Sequence, residues 1–399
     1  MESGPRADAR RRTSARALVL VGFIVLLLLG AAGEAGAGTP TGRLDVPRTG
    51  GEFPDPAVSA YRGGLVAVAT GPGAPRMTAA AANAPWHRAG RALVRKPDWA
   101  SSAGLWGVDL IRIGDRWLLY FAAPVRGLGP EGRCIGVAVS REALGRFTPV
   151  GRPLVCPRGA RKPGGGLVAP APDRVRSAWS RLPRRGVIDP SVVRLGRRAF
   201  LLYKTQGLPS TIRIVRLTDG GLRATRGSRE LIRVRHIVEN PVLLRRGGRY
   251  VLLTSEGSYA DCGYRTVWRR SAHLLRWGSA KPRLLLGRGS GVCGPGGADV
   301  VVRHAGPVVF FHGWACGRFA HTCPSRGRLD DRPQLDARRT LYAARLTWRD
   351  GRPHLARLPA RTHDPDGLTP MIEVTPHHAR KQAKKAKKAH HRRRHASRR

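Results

Sequence analysis

One pattern occurs five times in this chain, and it limits the possible folds more than any other feature. A four-residue turn ending in Val or Leu leads into a strand; a glycine turn follows, and a second apolar strand returns. The copies begin at Asp55 (Asp-Pro-Ala-Val58), Gly107 (Gly-Val-Asp-Leu110), Asp189 (Asp-Pro-Ser-Val192), Glu239 (Glu-Asn-Pro-Val242) and Gly297 (Gly-Ala-Asp-Val300). The returning strands are LVAVAT, RWLLYFA, AFLLYK, RYVLLTS and VVFFHGW. They are short and rich in β-branched or aromatic residues, as strands require. Units of about 50 residues built from short strands predict propeller blades. The expected fold is therefore all-β, a five-bladed β-propeller. A helical solenoid is excluded, because no stretch beyond the N-terminal apolar run sustains a 3.6-residue apolar period. The longest gap between copies holds an insertion near 157–185, rich in Gly, Pro and Arg, which reads as a surface loop.

The first strand of a propeller blade is the innermost, so the five entry turns converge on one end of a central channel. Three of them carry an acid: Asp55, Asp189 and Glu239. A proline next to two of them, Asp55 and Asp189, fixes the backbone as it enters the strand. Three carboxylates at one mouth repel one another, which raises the pKa of one and leaves another ionised. Each acid alone has a plainer reading. Asp before Pro commonly caps a turn, and Glu239 has many arginines to pair with. The joint placement at three of five entries is what points to chemistry.

At these residues the chain resembles glycoside hydrolase family 43. Phe53-Pro-Asp55-Pro-Ala-Val58 is similar to the family's base motif, and Gly186-Val-Ile-Asp189-Pro-Ser-Val192 to its pKa-tuning motif. Val238-Glu239-Asn-Pro-Val242, followed by Gly-Gly-Arg-Tyr250, is similar to its acid motif. Trp106-Gly-Val-Asp109 and Leu202-Tyr-Lys204-Thr also fit, and the likeness runs over roughly residues 50–355. It implies a five-bladed propeller that hydrolyses arabinofuranosyl or xylosyl linkages of plant cell-wall polysaccharides. Asp55 would be the general base, Glu239 the general acid, protonated at rest, and Asp189 its tuning neighbour. Acids on blades one and four suit the inverting spacing of about 6.5–9.5 Å better than the retaining one. Trp106 is a candidate for stacking on a sugar ring, with blade packing as the other reading. His312 and Trp314 read as core, and Asp109 as non-catalytic. Family members often carry a His after Gly-Pro-Gly on blade five that belongs to a channel metal site. This chain has Gly297 there, which leaves a channel calcium open; no cofactor is required. A non-catalytic carbohydrate-binding propeller at the cell surface is the alternative function, and an exported polyanion-binding protein is a third.

The ends of the chain speak to compartment. Arginines at 6, 10, 11, 12 and 16 precede an apolar run over 17–32, and Ala35-Gly36-Ala37 fits a cleavage site. This is the layout of a secretory signal; an uncleaved membrane anchor is the alternative, although 16 apolar residues are short for a span of about 20. An exported chain can keep disulfides. Its six cysteines allow 15 pairings; nearest-neighbour pairing gives Cys134–Cys156 and Cys316–Cys323 and leaves Cys262–Cys293. The net charge is +46, but eleven basic residues fall in the last twenty and the body is Arg-, Ala-, Gly- and Pro-rich. Specific nucleic-acid binding is therefore not expected, and the tail would instead hold the chain near an anionic wall polymer. The expected division is a signal over 1–37, a linker over 38–48, a propeller over 49–358, a linker over 359–376 and a disordered basic tail over 377–399, in a monomer.

Overall fold

In the computed structural model the described residues are 44, 46–168, 185–225, 227–303, 306–317 and 323–358, with strand pairing also at 372–373. The secretory signal, nearly all of the second linker, the basic tail and most of the 157–185 insertion lie outside them. Each repeat folds as an antiparallel pair extended outward by two further strands. Blade I holds β1 (Ala57–Tyr61), β2 (Gly64–Val68), β4 (Pro75–Ala79) and β5 (His87–Arg91); between β2 and β4, the two-residue β3 (Gly71–Pro72) joins the next sheet. Blade II adds β6 (Gly104–Ile113), β7 (Arg116–Pro124), β8 (Arg133–Ser140) and β9 (Thr148–Pro149). Blade III is β10 (Val187–Leu195), β11 (Arg198–Thr205), β12 (Ser210–Arg216) and β13 (Arg229–Val234). Blade IV is β14 (Val238–Arg246), β15 (Arg249–Glu256), β16 (Arg265–Ser271) and β17 (Arg283–Leu286). Blade V is β18 (Cys293–Arg303), β19 (Gly306–Ala315), β20 (Arg338–Arg349) and β21 (Arg352–Arg357). The short β22 (Ile372–Glu373) pairs parallel to β5. The five sheets form the expected five-bladed propeller.

The core lies between neighbouring blades. Val58, Leu65 and Met77 of blade I pack with Val301, Phe310 and Leu341 of blade V, and the Trp86 ring meets Phe310 edge-on at 5.9 Å. Ile212 and Ile214 of blade III pack with Leu243 and Leu252 of blade IV. Each fully buried side chain of this size contributes about 1.5–3 kcal/mol, so the blades hold one another. Closure of the ring relies on the N-terminal segment. Arg48 N–H donates to Leu341 O at 2.6 Å, Phe53 N–H to Arg339 O at 2.7 Å, and Leu44 N–H to Ser290 O at 3.0 Å. All three disulfides take the nearest-neighbour pairing, 134–156, 262–293 and 316–323, and no described cysteine is free.

The entry turns share one backbone conformation. Asp55, Gly107, Asp189, Asn240 and Gly297 all have positive φ, between 44° and 59°. On β6, β10, β14 and β18 the ladder register slips at this point. A bulge of this kind re-aims side chains at the rim of a sheet. It also corrects the sequence alignment at blade IV. The structural counterpart of Asp55 and Asp189 is Asn240, whose Pro241 matches Pro56 and Pro190; Glu239 stands one residue earlier. The sequence reading placed Glu239 in the entry position because an acid there looked like its neighbours. The left-handed conformation tolerates Asp and Asn, and it is Asn240 that adopts it.

Candidate active site

The five entry turns surround a narrow throat of about 30 Å³, room for water but not for a sugar ring. Five side chains do not fit around it. A Cβ added at Gly107 would lie 2.5 Å from Asp189 Oδ1, and one at Gly297 would lie 2.8 Å from Asp55 Oδ1. The two glycines therefore yield space to the acids on the adjoining blades, and the remaining entries, Asp55, Asp189 and Asn240, are polar.

These three are linked. Asn240 donates its side-chain Nδ2 to Asp55 Oδ1 at 2.9 Å and its main-chain N–H to Asp189 Oδ2 at 3.1 Å. Glu239 follows β14 inward and is buried. Its Oε2 is 2.5 Å from Lys204 Nζ, and its Oε1 accepts from Tyr264 Oη at 2.8 Å. The structure thus brings Asp55, Asp189 and Glu239 together at one end of the channel.

Their surroundings differ. Burial pushes the Asp55 carboxyl up, but the His312 imidazole, the Arg339 guanidinium and the Thr70 hydroxyl outweigh it and hold it well below the usual carboxylate range. His312 Nδ1 stands 3.0 Å from the Asp55 N–H and 3.3 Å from Oδ1, and Arg339 Nη1 is 3.8 Å from Oδ2. Asp189 goes the other way: burial and the charge of Glu239 raise it to about 8. Asp189 is thus the carboxyl pushed toward its protonated form, whereas Glu239 accepts from an ammonium and a phenol. Tyr264 joins the two sides, because its ring also stacks on His312 with centroids 5.7 Å apart and planes at 12°. Gly296 makes room for that ring, since a Cβ there would fall 2.0 Å from it.

Trp106 lies at the mouth on β6, but the guanidinium of Arg133 covers its ring, with Cζ 3.5 Å from the centroid. That face is occupied by the cation and is not open to a sugar. Trp314 is core, as expected, with Nε1 bonded to Tyr259 O. His312 is fully buried, yet it belongs to the site because of its contact with Asp55. Asp109 is not among the linked acids. Its Oδ2 accepts the Val192 N–H at 2.6 Å across the blade II–III junction, and Asp299 Oδ2 likewise takes the Val58 N–H at 2.7 Å between blades V and I.

Sequence reasoning missed Lys204, Tyr264, Arg339 and Asn240. Lys204 left a signal: it is a cation within the apolar strand Leu201-Leu-Tyr-Lys204, and a lysine buried there requires a charged partner.

A channel calcium needs six to eight oxygen ligands. At Gly297, a Cβ would stand 2.6 Å from His312 Nδ1, so no longer side chain fits there. The oxygens of Asp299 and Asp109 are turned onto main-chain N–H groups. Among the described residues, no group of three or more His, Cys, Asp or Glu is arranged to hold a metal. The residues present do not fit the ion.

No protein-family model matches the chain, and no curated protein matches it. Solved structures do. A thermostable family-43 glycoside hydrolase aligns at 18% identity and a TM-score of 0.58, covering 80% of this chain and 96% of that one. An α-L-arabinanase of Cellvibrio cellulosa, complexed with arabinohexaose, aligns at 17% and 0.55, covering 76% and 95%. An exo-1,5-α-L-arabinanase from a bovine ruminal metagenomic library aligns at 17% and 0.56, covering 76% and 96%. The structural neighbours are family-43 enzymes. At these identities the likeness is one of fold.

Proposed function

We propose that the chain is a secreted glycoside hydrolase that cleaves arabinofuranosyl or xylosyl linkages with inversion. The observation that carries this reading is the convergence of Asp55, Asp189 and Glu239 on one channel mouth, with one carboxyl held ionised and another held protonated. Glycoside hydrolysis needs that asymmetry: one group takes a proton from water while another gives one to the leaving oxygen. Asp55, kept charged by His312 and Arg339, takes the proton of the attacking water. Glu239 donates to the leaving oxygen. In the empty site burial and the charge of Glu239 push Asp189 toward its protonated form. When the leaving oxygen approaches Glu239, the proton must pass to this carboxyl and Lys204 must yield its place. Asn240 fixes the distance across the site by bonding Asp55 on one side and Asp189 on the other. The structural neighbours, arabinanases among them, support the substrate class. The basic tail over 377–399 keeps the protein near anionic wall polymer in this reading.

The test is turnover of aryl arabinofuranosides and aryl xylosides by the mature protein, repeated with Glu239→Gln, with the anomer released followed by NMR. Release of the inverted anomer, lost in the variant, is the expected result. The Lys204–Glu239 ion pair favours one other reading, a sugar-binding propeller without turnover. Binding without hydrolysis, unchanged in Glu239→Gln, would decide for it.

A further inference from the structure

Arg133 is nearly fully buried at the channel mouth and is poorly satisfied there. It opens β8, next to the Cys134–Cys156 disulfide. Nη1 donates to Gly104 O at 2.7 Å, while Nε is buried with no hydrogen-bond partner. Trp106 lies under the plane of the guanidinium and holds it flat. Gln206, at the end of β11, shows the complementary defect: Nε2 donates to Glu131 O at 2.9 Å, and Oε1 is buried without a donor. Both residues flank Gly186, where an added Cβ would meet Gln206 Oε1 at 2.0 Å and Arg133 N at 2.8 Å. Gly186 is three residues before Asp189. A buried donor and a buried acceptor, both unsatisfied and both beside the linked acids, are what a ligand with an anionic and a hydroxyl group would complete.

The charges favour an anion. Each acid of the site has a cation near it: Arg339 for Asp55, Lys204 for Glu239 and Arg133 for Asp189. Of the charges near Arg133, Glu131 acts on it more strongly than Asp189 does, but among the described residues no carboxylate oxygen is hydrogen-bonded to its guanidinium. Burial lowers Arg133 to about 10, and it remains ionised. An oxocarbenium-like transition state is itself positive, so a guanidinium beside it that bonds no carboxylate favours a substrate that supplies a negative charge. A planar guanidinium with a free edge matches a carboxylate in a two-point contact.

We propose that Arg133, backed by Trp106 and flanked by Gln206, forms a subsite for the carboxylate of a uronic acid residue adjoining the glycosidic bond to be cut. Its position next to cleavage rests on the glycosidase reading; the binding itself does not. The substrate is then an acidic polysaccharide, with Gln206 Oε1 accepting a hydroxyl of the same sugar.

Calorimetric titration with digalacturonate and with its methyl ester isolates the charge on one skeleton. The acid is expected to bind about tenfold tighter or more, as a charge-assisted bidentate contact supplies. In Arg133→Gln that preference disappears while the ester binds as before. The +46 charge of the chain attracts any anion, but that background is the same in the variant and cancels. Where Arg133→Gln does not fold, Arg133→Lys serves: it keeps the charge, loses the fork, and should weaken binding of the acid but not of the ester. Equal binding of acid and ester, binding of neither, or a preference that survives in the variant overturns the subsite. Aryl arabinofuranoside turnover then shows separately whether the glycosidase reading stands. Selective, Arg133-dependent binding of the acid without turnover of any glycoside supports the subsite and overturns the glycosidase reading.

Discussion

On the blade I and V side of the mouth, Asp55 faces an imidazole and a guanidinium and stays ionised under almost any condition. On the blade III and IV side, Asp189 and Glu239 share their space with one lysine, and Asp189 holds a proton near neutrality. The same functional group is thus set to opposite states within one ring of turns, by the strands behind it. His312 and Arg339 reach Asp55 from β19 and β20, whereas Lys204 reaches Glu239 from β11. Division of labour in this site is therefore a property of the second and third strands of each blade as much as of the entry turns.

The largest effect should separate the two sides by leaving group. Asp55→Asn removes the base, and rates should fall by about 10²–10⁴-fold on every substrate. Glu239→Gln should cost as much on poor leaving groups and far less on good aryl ones. Identical leaving-group dependence in the two variants would break the comparison. The next effect is on the basic limb of the pH–rate profile, which Asp189 and the charges around it set. Lys204→Met removes one of these charges, a positive one, so the limb should move to higher pH, and Lys204→Arg should bring it back. Asp189→Asn removes the carboxyl that keeps a proton there, so the limb should move to lower pH. Shifts in the same direction would show that Asp189 does not set the limb. A smaller change is expected at Arg339→Gln. Asp55 loses one of the groups that hold it low, so the acidic limb should rise toward the ordinary carboxylate range, with rates near neutral pH little altered.

The smallest effect concerns stability. Burial raises Asp109 to about 7, with the charge of Asp299 adding to it, and burial raises Asp299 to about 6. Both values exceed the unfolded value of about 3.9, so between them the folded chain binds more protons than the unfolded one. Their contribution is fully present below about pH 4 and is lost as pH rises through 6 and 7. Asp109→Asn and Asp299→Asn cannot ionise, so the drop in thermal midpoint between pH 5 and pH 8 should shrink in each. An unchanged drop would mean that these clamps do not titrate in the folded state.

The repeat was legible in the sequence because a strand, a glycine turn and a strand leave a fixed spacing, and because proline marks the entries. Asp55 and Asp189 were legible for the same reason. The phase at blade IV was not, since a bulge moves an acid by one residue without altering composition. Lys204, His312, Tyr264 and Arg339 were hidden further, because their roles depend on which strands face one another across a blade. His312 reads as core by its apolar neighbours, and it is core by burial; only the meeting of β19 with the turn of β1 gives it a second task. Trp106 shows the converse. An aromatic at a channel mouth reads as a sugar platform, and nothing near it in sequence announces that Arg133 of β8 covers its ring.

The ring is closed by residues 44–53 lying along strands some 290 residues later, with Phe53 on Arg339 and Arg48 on Leu341. Such pairing is slow to form, since nearly the whole chain must be ordered before its ends can meet. During synthesis the first of these residues to appear are thus among the last to settle. They wait, unpaired, until blade V has been made. Until then Asp55 lacks His312 and Arg339, so its carboxyl is not held low before the last blade arrives. An incomplete chain would carry two of the acids in place and no working site.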